Sequence, residues 1–431
     1  MRTTKRFGES VHRRRRSISA VPMTTALRMS TVLSAVAVAT LVATLTACLP
    51  QMGAPAAAPD SVKIGAVVPL TGRFGALGDQ VRNGYELAVD DINRGGGVNL
   101  RQFGKKVPIE LRMLDDESDP TKTVQRMEAV FAEGIAAYLG GAGSDLHAAA
   151  APIAEKNKTA YLGVGFALYQ IHQRGLKYLF SPFPKSPGLA KMTFDIMDSL
   201  SPKPTRVAIF AERTDWGVEL RDLWKREAQA RGYQVVADEE YAVGSQDFSS
   251  QVLAARNGGA EALLALPTPP DGLAIVRQMK ELDANARFYL LIRAPDGLAW
   301  SQNLGRDGDY AILAPGWSPD LKFPGVDQLK QGHQAKYNKT PEALTGGAYA
   351  SVQILANALE RAGGLDRDVI RDNVASTDMM TVAGPVKFNA DGTGQVLHVA
   401  NQWQDGRQVL VWPRDQASVP LAYPAPPWRE R

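Results

Sequence analysis

The sequence predicts an α/β protein of two similar lobes, each built on a parallel sheet, and three observations carry that prediction. Short apolar runs alternate with amphipathic runs, the pattern of repeated βαβ units. The phrase restarts near Pro202, where Pro202-Lys203-Pro204-Thr205-Arg206-Val207-Ala208-Ile209-Phe210 opens a second strand–loop–helix series. The chain is also long: 431 residues exceed what one hydrophobic core usually serves, so two domains are expected.

The elements follow in order. A first strand is expected over 62–69 and a helix over 79–93, whose Val81, Tyr85, Ala88 and Ile92 share one face. Gly95-Gly96-Gly97 then reads as a helix C-cap and turn, not a phosphate cradle. Residues 107–114 are extended, and Asp119-Pro120 opens a helix through Phe131, with Asp as N-cap and Pro in the first turn. Buried strands are expected at 135–139, 160–162, 206–210, 261–266 and 287–292. Helices over 147–156, 189–200, 218–231, 249–256 and 272–282 sit between them. Near the C-terminus, 384–388, 396–403 and 409–412 read as short strands. They are split by Asn389-Ala390-Asp391-Gly392 and Gln404-Asp405-Gly406, both bearing Asp-Gly turn signals.

The N-terminus has a different character. Basic residues from Arg2 to Arg28 precede an apolar segment from Val32 to Leu45, and Leu45-Thr46-Ala47 leads into Cys48, the only cysteine. The layout fits a secretory signal, and the apolar run is shorter than the roughly 20 residues a spanning helix needs. Cys48 in this setting resembles the lipobox cysteine of bacterial lipoproteins; the alternative is a lone buried cysteine in an uncleaved leader. The expected organisation is a signal peptide over 1–47, lipidation at Cys48 and an Ala/Pro-rich flexible stalk over 48–60. Without the leader the chain carries 41 Lys+Arg against 44 Asp+Glu, net −3. The basic pI therefore belongs to the leader and argues for no nucleic-acid partner. A lipidated Cys48 leaves no thiol for a disulfide, a metal or a nucleophile.

Six phrases in order give the sequence a family likeness: Ile64-Gly65-Ala66-Val67-Val68-Pro69-Leu70-Thr71-Gly72 with Gly75-Ala76-Leu77-Gly78; Asn83-Gly84-Tyr85-Glu86-Leu87-Ala88; Asp116-Glu117-Ser118-Asp119-Pro120; Asp247-Phe248-Ser249-Ser250-Gln251; and Gly384-Pro385-Val386-Lys387-Phe388-Asn389-Ala390-Asp391-Gly392. Over 61–413 the chain resembles the branched-chain amino acid (leucine-binding) type of periplasmic solute-binding protein, the receptor component of ABC importers. The resemblance implies the type I periplasmic-binding-protein fold: two doubly wound Rossmann-like lobes joined by three hinge crossings and closing over a ligand. Lobe 1 is then about 61–181 plus 316–380, lobe 2 about 182–315 plus 381–415, and 416–431 a C-terminal tail.

Ligands of such sheets sit outside the carboxyl ends of the strands, where helix starts offer free N–H groups to carboxylates. Gly140-Gly141-Ala142-Gly143-Ser144-Asp145 lies at such a place, with Gly143 and Ser144 the expected contacts; the plainer reading is an ordinary capped helix start. The resemblance adds a second loop, Gly163-Val164-Gly165-Phe166-Ala167, contributing Gly165, Phe166 and Ala167. Here the chain departs from the family, whose amino-acid binders usually carry Thr or Ser at the position of Ala167. The resemblance also points to Phe74 and Trp216 as aromatic walls, to Thr268 after the 262–266 strand and to Asp296 after the 287–292 strand. Asp296 suits a ligand ammonium, or Arg293 instead a second carboxylate; the plainer readings are Trp216 as packing, Asp296 as a turn residue before Gly297 and Arg293 as a surface charge.

Other chemistry is weakly represented. Asp115, Asp116, Glu117 and Asp119 do not have the spacing of a calcium loop. The five histidines form no i, i+4 metal pair, and His147, beginning the helix after the ligand loop, is expected at the surface, with ligand contact the alternative. There is no nucleophile elbow, P-loop or dinucleotide fingerprint. The expectation is a non-enzymatic, lipid-anchored extracytoplasmic receptor without metal or cofactor. It would bind a small organic solute (amino acid, amide or carboxylate) and deliver it to ABC importer membrane subunits. The alternative is a docking module regulating a penicillin-binding protein or another cell-wall synthase.

Overall fold

The computed structural model describes residues 57–431. The expected signal peptide, Cys48 and most of the stalk lie outside the described residues.

The chain runs β1 (Val62–Val68), α1 (Gly75–Arg94), the hairpin β2 (Val98–Leu100) and β3 (Lys105–Val107), β4 (Ile109–Asp115), α2 (Pro120–Ala132), β5 (Ala137–Leu139), α3 (Ser144–Lys156), β6 (Tyr161–Leu162) and β7 (Leu179–Phe180). These build a five-stranded parallel sheet in the order β4-β1-β5-β6-β7. The second series runs α4 (Ser186–Asp198), β8 (Arg206–Glu212), α5 (Asp215–Ala230), β9 (Gln234–Tyr241), α6 (Ser249–Asn257), β10 (Ala262–Ala265), α7 (Pro269–Glu281), β11 (Phe288–Leu291), α8 (Ala299–Leu304) and β12 (Ile312–Leu313). It repeats the topology as β9-β8-β10-β11-β12, all parallel. In each sheet the strand order reverses beside the first strand of the series, which opens a crevice at the carboxyl ends.

The predicted elements appear with shifted ends. Asp119 caps α2 by accepting N–H groups from Thr121 and Lys122. The helix expected over 79–93 starts four residues earlier, at Gly75. The apolar periodicity that marks a helix sets in only where side chains face the core, so first turns facing a cleft escape it.

After β12 come three helices for which the sequence reading named no elements: α9 (Val326–Tyr337), α10 (Thr345–Ala362) and α11 (Arg367–Ala375). They cover the first sheet. Gly84 on α1 lets the backbone of α10 come into direct contact, since a Cβ there would strike the Thr345 carbonyl. The chain then forms β13 (Asp378–Thr381), β14 (Gly384–Phe388) and β15 (Gly394–Gln395), a small antiparallel sheet, before β16 (Ala400–Gln404) and β17 (Arg407–Trp412) join the second sheet beside β12.

One expected boundary moves. The break at 380/381 falls inside the β13–β14 hairpin, which pairs Asp378 to Thr381 with Gly384 to Lys387. Val382, Val386 and Phe388 lie in the first core, and Ser181 bridges to Thr393. The third passage to the second sheet therefore comes at 395–400, because apolar alternation in β14 faces the first core. The 416–431 segment packs on the second sheet, with Trp428 buried and its Nε1 donating to the Ala284 carbonyl at 2.8 Å.

Candidate functional site

The loops that leave β5, β6, β8 and β11 meet between the two sheets. They enclose a cavity of about 30 Å³ lined by Leu77, Gly143, Ser144, Gly165, Phe166, Ala167, Phe183, Leu189, Trp216, Ile292, Arg293, Asp296, Ala314 and Leu344. That volume holds a water or two, so the cleft is closed. The structure thus brings together eight of the ten residues singled out from the sequence.

The first-sheet wall is made by backbone. Gly143 precedes α3 at φ 110, a conformation open to glycine, and a Cβ there would lie 2.6 Å from a Phe74 ring carbon. Ser144 and Asp145 then open α3, and a helix start carries unpaired N–H groups and a partial positive charge suited to an anion. Gly143→Ala is expected to strain this loop and destabilise the protein by roughly 1–3 kcal/mol, measurable by urea unfolding. Phe74 itself sits behind Gly143 and does not line the cavity; Leu77 fills that place. Ala167 offers its methyl, while its carbonyl accepts from Ser186 N and Oγ, both at 2.9 Å.

The second-sheet wall carries the charge. Glu212 ends β8 with its side chain 1% exposed. Its Oε2 pairs with Arg293 Nη2 at 3.1 Å, and its Oε1 with Arg73 Nη1 at 3.3 Å. Arg73, from the loop after β1, also pairs with Asp145. Arg293 donates further to the Leu266 and Pro267 carbonyls at 2.7 and 3.3 Å, and its guanidinium carbon lies 5.0 Å from the Trp216 ring and 5.2 Å from Phe74. Its Nε and Nη2 are already engaged by protein groups, which leaves Nη1 for a ligand carboxylate. The φ of 84 at Arg293 places strained backbone at the cleft. Trp216 is held by a hydrogen bond from Nε1 to Ser186 Oγ at 3.2 Å.

Asp296 is different. It is 5% exposed, its Oδ1 is buried without a partner, and burial pushes its carboxyl up to about 8, with Arg293 opposing only in part. Near neutral pH it is mostly a protonated acid facing the cleft. Thr268 does not line the cavity; it is buried as the N-cap of α7 beside Asp271, with only Leu266 and Pro267 between it and the end of β10. His147, expected at the surface, is 1% exposed and stacks on Phe166. The apolar lining residues Phe183, Leu189, Ala314 and Leu344 gave no sequence signal, since they come from segments far apart in the chain.

Against known proteins, residues 61–404 match the periplasmic binding protein family. Leu/Ile/Val-binding protein homolog 8 of Brucella abortus is 27% identical over 387 residues, covering 84% of this chain and 93% of that protein. Among solved structures, the leucine binding protein LivK of Thermotoga maritima superposes with a TM-score of 0.74 at 24% identity, covering 81% of this chain and 97% of that one. A solute binding protein of R. palustris in complex with benzoate gives 0.72 at 18%, covering 85% and 98%. These likenesses establish the type I periplasmic-binding fold.

Proposed function

We propose, on the premise that this chain belongs to the periplasmic binding protein family, that it captures one small organic solute between its lobes and hands it to an ABC importer. The single observation behind this is the closure of strand-end loops from both sheets on one cavity, with the α3 start on one side and the unpaired Asp296 on the other. Solutes carrying a carboxylate or amide on an apolar body fit best. The α3 start serves the anionic or carbonyl end, and Leu77, Phe166, Trp216 and Ile292 surround the rest. Entry requires the lobes to part, and bound solute then favours the closed form that a permease would read. Relatives of known ligand point the same way: the R. palustris protein holds benzoate, and LivJ of Streptococcus pneumoniae holds isoleucine. Lipid on Cys48 would keep the receptor at the membrane.

Thermal unfolding with a panel of amino acids, amides and aromatic acids tests the reading. A true ligand at 100 times its Kd is expected to add roughly 2.7 kcal/mol of stability. A panel without any shift would remove the receptor reading. Mass spectrometry of the N-terminal peptide tests the lipid separately.

A further inference from the structure

A group of buried bases lies behind the cleft wall. Lys185 is 8% exposed and sits between β7 and α4, where the chain first passes from one sheet to the other. Its Nζ donates to the Phe166 carbonyl at 2.8 Å and to Ser181 Oγ at 2.7 Å, and lies 3.3 Å from the Phe166 ring centre. Ser181 Oγ donates in turn to the Gly163 carbonyl at 2.9 Å. Ser186, the next residue, holds the Ala167 carbonyl and accepts from Trp216 of the second lobe. Three residues of the crossing thus grip three carbonyls of the cleft loop, at 163, 166 and 167.

The surroundings show how specific this placement is. The Phe166 ring stacks on His147 with centroids 4.2 Å apart, and on His172 at 5.7 Å. Both imidazoles donate through Nδ1, to the Gly143 and Asp391 carbonyls, and burial holds both down to about 3, so they stay neutral. Among the described residues no carboxylate pairs directly with Lys185; Glu219 and Asp391 act on it only through space, and burial lowers its pKa. A buried amine without a close counter-charge is costly, and here its return is the fixed loop.

We propose that Lys185 is a positioning residue for the ligand cleft: through Phe166 and Ser181 it locks the 163–167 loop to the interlobe crossing, so the wall a solute touches and the hinge it closes move as one piece. The proposal rests on the reading of the cleft as the solute site.

Full-length Lys185→Met, which keeps the stem but loses the donors, tests it beside Lys185→Arg. Hydrogen exchange over 163–168 is read without ligand, and affinity with leucine, isoleucine and benzoate as probes. Lys185→Met is expected to speed exchange in that segment at least tenfold, leaving β10 and β11 unchanged, and to weaken any binding probe at least tenfold. Lys185→Arg should recover part of both. Unchanged exchange, exchange rising equally in all strands, or a local rise with unchanged affinity would each overturn the proposal. Should wild type bind none of the probes, the receptor reading suffers, while the exchange result still decides whether Lys185 holds the loop.

Discussion

Replacing Asp296 with Asn is expected to stabilise the ligand-free protein at pH 9 and to do little at pH 4. The native carboxyl keeps its proton up to about 8, whereas in the unfolded chain it loses it near 4. Between those values the native state binds more protons, so wild-type stability falls as pH rises and levels off above about 8. Asn cannot ionise and removes that slope. The gain at pH 9 should be on the order of 3 kcal/mol, allowing for some water entry into the closed cleft. Urea unfolding of both proteins across pH 4–9 measures it; parallel profiles would show that Asp296 is not held neutral by burial. The same group reports ligand class. A solute whose ammonium meets Asp296 binds more tightly as pH rises toward 8, because the carboxylate must form. A solute whose carboxylate accepts the Asp296 proton binds more weakly above 8.

Glu212→Gln carries the other large effect. The substitution removes the counter-charge from Arg293, whose side chain is 10% exposed, and from Arg73 across the cleft. Breaking a buried pair by deleting one partner typically costs about 3–5 kcal/mol, because the remaining charge stays desolvated. Arg73 follows β1 and Glu212 ends β8, so the pair also bridges the two sheets, and its loss should favour the open cleft. Small-angle scattering of the ligand-free variant is expected to show a larger radius of gyration than wild type. Asp145→Asn is the contrast: with a side chain 29% exposed, its partnership with Arg73 should contribute no more than about 1 kcal/mol. Equal losses from both substitutions would contradict the burial argument.

Much of this architecture was legible in the residues. The alternation of apolar strands with amphipathic helices marked both parallel sheets, and Asp119-Pro120 and the Asp-Gly turns fixed local ends. The glycine-bearing loops after β5 and β6 were legible for a related reason: each lies just past a buried strand, where the chain has to turn. Of the helices of 326–375, α9 and α10 pack on α1 and α11 packs on α10, yet the sequence reading drew no element there. Gly84 beside Thr345 became meaningful only once α1 touched α10, and Gly346 only once Trp317 packed on α10. Thr268 was expected at the cleft because it follows a strand like the other loops; it caps α7 outside the cavity lining.

The sequence by itself determined the local elements, their parallel pairing into two lobes and the loops at the strand ends. These follow from periodicity and turn chemistry, which act over a few residues. Only the tertiary structure decided how charges separated by scores of residues are shared. Glu212 takes up Arg293 and Arg73, Asp296 is left a lone buried acid, and Lys185 is carried beneath Phe166. Burial and pairing set the charge states of such groups, and both are properties of the closed cleft, not of any segment of the chain.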